Sequence, residues 1–282
     1  MIKIDTANRK NKDMKRDWNE LWNNALQRLP KKNSRSWDNV APKFKNQRGK
    51  NDYPKKLLEK IKLDADDTVL DIGCGSGIIT IPLAQKARKV TALDISRKML
   101  QLLEENAVEE CLTNINPVNR RLEDVLLNRD IEPHDVVVAS RSLNGVYNIK
   151  QMLEEINKIA KKYVYITLWG ANNIKFGNEI SKIIGREFHE HPTYIYAYNI
   201  LYELGIYANI EILEYDNSSY YSSIDESVES FKWKIGNLNQ NEEDILRNYL
   251  AEKMVKTDDS KFKFPNNKPD WALIWWKKNN RL

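Results

Sequence analysis

Three glycines spaced two apart, Gly73, Gly75 and Gly77, follow an apolar run in VLDIGCGSG (69–77). A glycine turn that leaves a buried strand and enters a helix lets a ligand approach backbone N–H groups closely. Two carboxylates frame the turn: Asp71 just before Gly73, and Asp94 in TALDIS, 21 positions after Gly73. A carboxylate at the end of the second strand can accept hydrogen bonds from both hydroxyls of a ribose. Asp71 can face a positively charged amino group. A phosphate loop needs GxxxxGK[ST], and no such Lys-Ser/Thr follows. A dinucleotide turn needs GxGxxG, whereas Ile78 stands where the third glycine would be and the spacing is GxGxG. The combination points to a nucleoside carrying a cationic amino acid, not to a nicotinamide dinucleotide.

Such residues work only if a sheet brings them to one edge. TVLDIG (68–73), KVTALDI (89–95), HDVVVASRSL (134–143) and YVYITLWG (163–170) read as strands, and NINPVNR (114–120) as a weaker one. Between them lie the helical GIITIPLAQKA, SRKMLQLLEENAVEE with Ser96 as N-cap, and NIKQMLEEINKIAKK. Apolar runs alternating with amphipathic helices predict a parallel sheet covered on both faces. Residues 1–52 read as a helical N-terminal extension, with Trp18 and Trp22 as core residues of its first helix. Residues 53–282 form the main domain. Within it, NIEILEYD (209–216) and WALIWWKK (271–278) are the last two strands, separated by a helical insertion at 224–255.

Composition narrows the classes. The 282 residues carry 45 basic and 40 acidic side chains, a net charge of +5 that neither demands nor excludes nucleic acid. Two separated cysteines, Cys74 and Cys111, argue against a disulfide framework, and with three histidines they offer no metal-ligand spacing. The basic N-terminus lacks an apolar signal core, and no apolar run approaches the ~20 residues of a membrane span. The expected protein is cytoplasmic and reduced, binds no metal and touches no membrane.

VLDIGCGSGIITIPLA, TALDIS, LED at 122–124 and HDVVVAS together resemble the class I S-adenosylmethionine-dependent methyltransferases of small-molecule type, over roughly residues 55–170. The resemblance implies an α/β, Rossmann-like, seven-stranded, mostly parallel sheet whose last strand is antiparallel and inserted between the fifth and sixth. It implies S-adenosyl-L-methionine as cofactor and S-adenosyl-L-homocysteine as product. Carried over by position, Gly73, Cys74, Gly75 and Gly77 would surround the methionine part of the cofactor, with Asp71 near its amino group. Asp94 would hold the ribose, with Ile95 beside it, and Glu123 and Asp124 would lie near the adenine. Ser140 and Arg141 would flank the cofactor at the end of the fourth strand, with Arg141 also a candidate acceptor contact. Many members begin with a lid helix of pattern W/F-[DN]-x-x-A-x-x-[FY], matched here by Trp37, Asp38, Ala41 and Phe44.

The acceptor is less readable. The fourth strand ends ASRSLNG, so the [DN]PP[YF] sequence used on exocyclic amines is missing, as is a cysteine placed for attack on a base. The segment GREFHEHPTYIYAYNILYELGIYANIEI (185–212) crowds histidines and tyrosines after the fifth strand. His189, His191 and Tyr198 are the candidate catalytic residues. Arg186, Tyr194, Tyr198, Trp169, Trp37 and Phe44 join Arg141 as candidate acceptor contacts. If Pro192 starts a helix, Tyr194 and Tyr198 share a face that Tyr202 continues; tyrosines packing a helix onto a sheet is the competing reading. The expected reaction is methyl transfer to oxygen, nitrogen or sulfur of a small molecule. An RNA methyltransferase, favoured by the basic KNKDMKR and KFKNQRGK, and a non-catalytic cofactor-binding protein are the alternatives. The 224–255 insertion is a candidate to cover the site or to join a homodimer.

Overall fold

The computed structural model describes residues 16–29, 37–44, 52–125, 130–214, 220–236, 238–258, 260–265 and 270–278. Three helical pieces come first: α1 (Trp18–Arg28), α2 (Trp37–Val40), which runs into a tight turn at Ala41–Phe44, and α3 (Tyr53–Leu58). The alternating part follows as β1 (Thr68–Ile72), α4 (Thr80–Ala84), β2 (Lys89–Asp94), α5 (Arg97–Glu109), β3 (Ile115–Asn119), β4 (His134–Ser140), α6 (Ile149–Ile159) and β5 (Ala160–Trp169). Then come α7 (Ala171–Ile183), α8 (Tyr194–Glu203), β6 (Asn209–Glu214), β7 (Tyr220–Tyr221), α9 (Ile224–Ile235), α10 (Gln240–Lys253), β8 (Val255–Lys256), β9 (Phe262–Lys263) and β10 (Asp270–Lys277).

Seven strands form one sheet in the order β3-β2-β1-β4-β5-β10-β6. The first five pair in parallel, and β10 runs antiparallel to both β5 and β6. The insertion of the last strand between the fifth and sixth is as expected. Strand order reverses between β1 and β4, which opens a crevice at the carboxyl ends of the strands.

Side chains alternate across the pleat and meet a different core on each face. Leu70, Ile72, Val137, Ala139, Val164 and Ile166 face a core built with α1, α6 and α8. Val69, Val136, Val138, Tyr165 and Leu273 face Tyr53 and Leu57 of α3 and Leu83 of α4. Helix α6 shows why these helices lie where they do. Ile149, Met152, Leu153, Ile156 and Ile159 recur every three or four residues and are all buried. Each such side chain contributes about 1.5–3 kcal/mol relative to exposure. Helix α1 is capped by Asp17, whose carboxylate accepts from the Asn19 and Glu20 N–H groups. Its Trp22 is fully buried and donates its indole N–H to the Val146 carbonyl at 2.8 Å, while Trp18 packs at the margin of the same core.

Two features went unanticipated. Helix α7 was not expected as a separate element. The helices of 224–255 pack with it around Ile180, Val228, Phe231, Leu246 and Leu250, beside a small sheet in the order β7-β9-β8.

Candidate cofactor and acceptor site

All three glycines of the turn after β1 have positive φ: +68° at Gly73, +55° at Gly75 and +87° at Gly77. Side chains rarely adopt that conformation. Packing adds a second demand. A Cβ on Gly73 would sit 2.4 Å from the Ser142 Cβ, and one on Gly77 would sit 2.4 Å from a Leu103 methyl. Gly75 has open space above it. Two glycines therefore serve the protein's own packing, while the space beside the middle one is open. The N–H groups of Gly73 and Cys74 donate to the Leu93 carbonyl at 2.7 and 3.1 Å, which ties the turn to β2.

Asp94 ends β2 and is nearly buried. Its Oδ2 accepts from the Gly75 N–H and its Oδ1 from the Ser96 N–H, each at 2.8 Å. Every carboxylate oxygen has two acceptor positions, so one remains on each oxygen for a ribose hydroxyl. Burial pushes this carboxyl above its ordinary value, and the backbone N–H groups of Ser96, Gly75 and Ile95 oppose that shift. Asn119 holds the strand end in place by donating its side-chain amide to the Asp94 and Ile95 carbonyls at 3.0 and 2.9 Å. Ile95, 48% exposed, stands beside the clamp.

Asp71 is fully enclosed, and loss of hydration pushes its carboxyl up to about 7. Thr80 of α4 donates its hydroxyl to the Asp71 Oδ2 at 2.6 Å, which opposes the shift. Cys74 is buried and its thiol is pushed well up by the same loss of hydration. Cys111 is exposed and free, distant in sequence from the turn.

The segment 37–44 docks on the start of α5. Asp38 accepts from the Ser96 hydroxyl at 2.5 Å and the Lys98 N–H at 3.1 Å, bonds that hold its carboxyl below the ordinary value. Ala41 and Phe44 pack with Met99 and Leu102, while Trp37 is 49% exposed. Asp124 lies exposed in the turn after β3; the Glu123 side chain and the basic stretches 1–15 and 45–51 lie outside the described residues.

On the other side of the crevice, Ser140 of β4 and Thr167 of β5 are cross-strand partners. The fully buried Tyr53 places its hydroxyl between them, 2.8 Å from Ser140 Oγ and 2.7 Å from Thr167 Oγ1. Arg141 follows at φ +58°, a left-handed conformation that costs a non-glycine residue about 1–2 kcal/mol. Its N–H donates to Thr167 Oγ1 at 2.9 Å, and its guanidinium lies 4.2 Å from the Tyr53 ring and 5.7 Å from that of Trp271. Trp271, the second residue of β10, lies directly opposite Trp169, the two rings meeting edge-on at 6.5 Å. The His191 ring lies 4.2 Å from that of Trp169. Gly170 is glycine because a Cβ there would meet the Asp270 carboxylate at 2.5 Å. That carboxylate caps α7 by accepting from the Asn172 and Asn173 N–H groups.

Other expected acceptor residues lie elsewhere. Arg186 is gripped by Glu242 of α10 through two bonds of 2.6 Å, which raise the guanidinium and lower the carboxyl. His189 lies 3.9 Å from the exposed Glu187. Helix α8 starts at Tyr194 with Thr193 as its cap, two residues later than a start at Pro192. Ala197, Ile200 and Leu201 draw it onto the core shared with α1 and α6, and Tyr194 and Tyr196 pack there too, Tyr196 against Trp18 and Trp22. That is the face of the sheet opposite Tyr53. Tyr198 is half-buried, and Tyr202 turns out to solvent against Tyr207. Tyr53, Thr80, Asn119, Thr167 and Trp271 were not anticipated as site residues.

A family model described as a methyltransferase domain matches residues 63–197. A protein of Haemophilus influenzae, described as uncharacterised, is 34% identical over 245 residues, covering 85% of this chain and 88% of that one. A protein of Methanocaldococcus jannaschii, assigned as a decarboxylating cobalt-precorrin-6B C(15)-methyltransferase, is 30% identical over 143 residues, covering 51% and 70%. The chain belongs to the class I S-adenosylmethionine-dependent methyltransferases. A crystal structure assigned as a candidate methyltransferase from Bacillus halodurans shares the fold of this methyltransferase, with a TM-score of 0.58 at 16% identity, covering 81% of this chain and 99% of that one. Other matches include ubiquinone-biosynthesis O-methyltransferases and ribosomal RNA methyltransferases, so the family alone does not assign the acceptor.

The family implies S-adenosylmethionine as the methyl donor, and the residues of this methyltransferase fit it. Gly75 has room for a close approach, and both Asp94 oxygens keep an acceptor position. No helix among the described residues is long and apolar enough to cross a membrane.

Proposed function

We propose that this protein transfers the methyl group of S-adenosylmethionine to oxygen, nitrogen or sulfur of a small-molecule acceptor. The observation that carries the reading is the paired arrangement across the crevice. The Gly75–Asp94 clamp lies at the ends of β1 and β2, and the ring wall of Trp169, His191 and Trp271 stands at the ends of β5 and β10. When bound, the donor supplies an electrophilic sulfonium methyl. The chain's work is to orient and to exclude water. Asp94 would accept both ribose hydroxyls, with Ile95 and Asp124 toward the base. Trp169, Trp271 and Arg141 would position the acceptor, and His191, beside Trp169, would take a proton from it. The stretch 37–44, latched by Asp38, would serve as the lid. Unpaired Cys74 and Cys111 favour a reducing, cytoplasmic setting.

Calorimetry with S-adenosylmethionine, S-adenosylhomocysteine and NADH tests the donor. Binding of the first two is expected in wild type, with none for NADH and a loss in Asp94→Ala. Radiolabelled methyl transfer into low-molecular-mass extract, set against bulk tRNA and rRNA, tests the acceptor class. Label appearing in RNA alone would overturn the small-molecule reading.

A further inference from the structure

We infer that Arg141 is a carboxylate receptor, and that the acceptor is a small organic acid with an apolar or aromatic body. This rests on the methyltransferase reading of the site. Arg141 combines three features. Its backbone holds a left-handed conformation fixed by the Thr167 hydroxyl. Its guanidinium carbon lies over the Tyr53 ring, 4.2 Å from the ring centre, with the Trp271 ring centre at 5.7 Å. Among the described residues no carboxylate pairs with it and no acceptor takes its side-chain N–H groups, although the residue is half-buried. Arg186, by contrast, is already neutralised by Glu242.

A planar fork of donors held over an aromatic ring and left without an anion is suited to bind a carboxylate in two-point fashion. A single positive charge matches a carboxylate better than a phosphate, which carries nearly two charges at neutral pH. The aromatic wall of Trp169, His191 and Trp271 beside it suits an apolar body. The donor also owns a carboxylate, on its methionine. Position favours the acceptor: the guanidinium lies over Tyr53 and Trp271, toward β10, whereas Gly75 and Asp94 lie at β1 and β2.

Saturation-transfer NMR with benzoate, benzamide and phenyl phosphate tests this on the full chain, with and without S-adenosylhomocysteine. Calorimetry of S-adenosylhomocysteine on the same samples accompanies it. Benzoate should receive saturation in wild type, less in Arg141→Lys, which keeps the charge but loses the fork, and at least about tenfold weaker binding in Arg141→Gln. Benzamide should be silent, and S-adenosylhomocysteine affinity should be equal in all three proteins. No transfer to benzoate in wild type, or equal transfer in Arg141→Gln, would overturn the inference. Preference for phenyl phosphate would overturn the carboxylate assignment. A comparable loss of S-adenosylhomocysteine in Arg141→Gln would give the guanidinium to the donor. Benzoate binding by a wild type that ignores S-adenosylhomocysteine would uphold Arg141 and sink the methyltransferase reading, so the two failures are separable.

Discussion

Asp71→Asn should make this protein more stable, and increasingly so as pH rises from about 4 to about 7. The Asp71 carboxyl is pushed from an ordinary 3.8 up to about 7 because it is wholly buried under the glycine turn. The native state therefore holds a proton there that the unfolded chain releases near pH 4. Between those values the folded protein binds more protons than the unfolded one, so stability falls as pH rises from about 4 to about 7 and levels off above that. A shift of about three units corresponds to roughly 4 kcal/mol in all, and about 2.5 kcal/mol of it is lost between pH 5 and pH 8. An asparagine keeps the shape, stays neutral and can still accept the Thr80 hydroxyl through its carbonyl oxygen. Urea unfolding of both proteins near pH 5 and near pH 8 measures the effect. Depressed carboxyls such as Asp38 and Asp135 act in the opposite direction but equally in both proteins, so they cancel in the difference. The variant should gain on the wild type by about 2–3 kcal/mol more near pH 8 than near pH 5. An equal difference at the two pH values would refute the buried-carboxyl argument.

Other substitutions separate packing from binding. Gly73→Ala should destabilise the fold, since its Cβ would meet Ser142 at 2.4 Å. Gly75→Ala has room and should lose only about 1 kcal/mol from its left-handed backbone, yet should abolish S-adenosylhomocysteine binding by calorimetry. Binding retained in Gly75→Ala would remove that backbone from the site. Glu242→Ala should lower stability by about 1 kcal/mol through the loss of a partly exposed pair. It should leave methyl transfer to the acceptor unchanged; a fall in transfer at unchanged S-adenosylhomocysteine affinity would return Arg186 to the acceptor site.

The glycine turn and Asp94 were legible because their roles are local: positive φ and a strand end impose residue types within a few positions. The sheet was legible from runs such as VVVA in β4, which are buried on both faces. Tyr53 was not legible as a site residue. Its partners Ser140 and Thr167 lie 87 and 114 positions away, and nothing in YPKKLL marks a hydroxyl bound for a strand edge. The small sheet was invisible because strands of two residues show no period. Arg186 and Arg141 looked equally eligible as cations. Only the fold shows that Glu242, 56 positions on, neutralises the first.

The place of β10 has a consequence for how the molecule is made. Strand β6 is held in the sheet by β10 alone, and β5 keeps an open edge until β10 arrives. Trp271, the first tryptophan of that strand, also supplies part of the ring wall against which Arg141 rests. A nascent chain that has completed β1 through β5 can assemble the glycine turn and the Asp94 clamp while still lacking that wall. Pairing across such a sequence separation is slow and leaves an edge exposed meanwhile. During synthesis, the residues of the glycine turn and of the Asp94 carboxylate emerge well before the strand that carries Trp271.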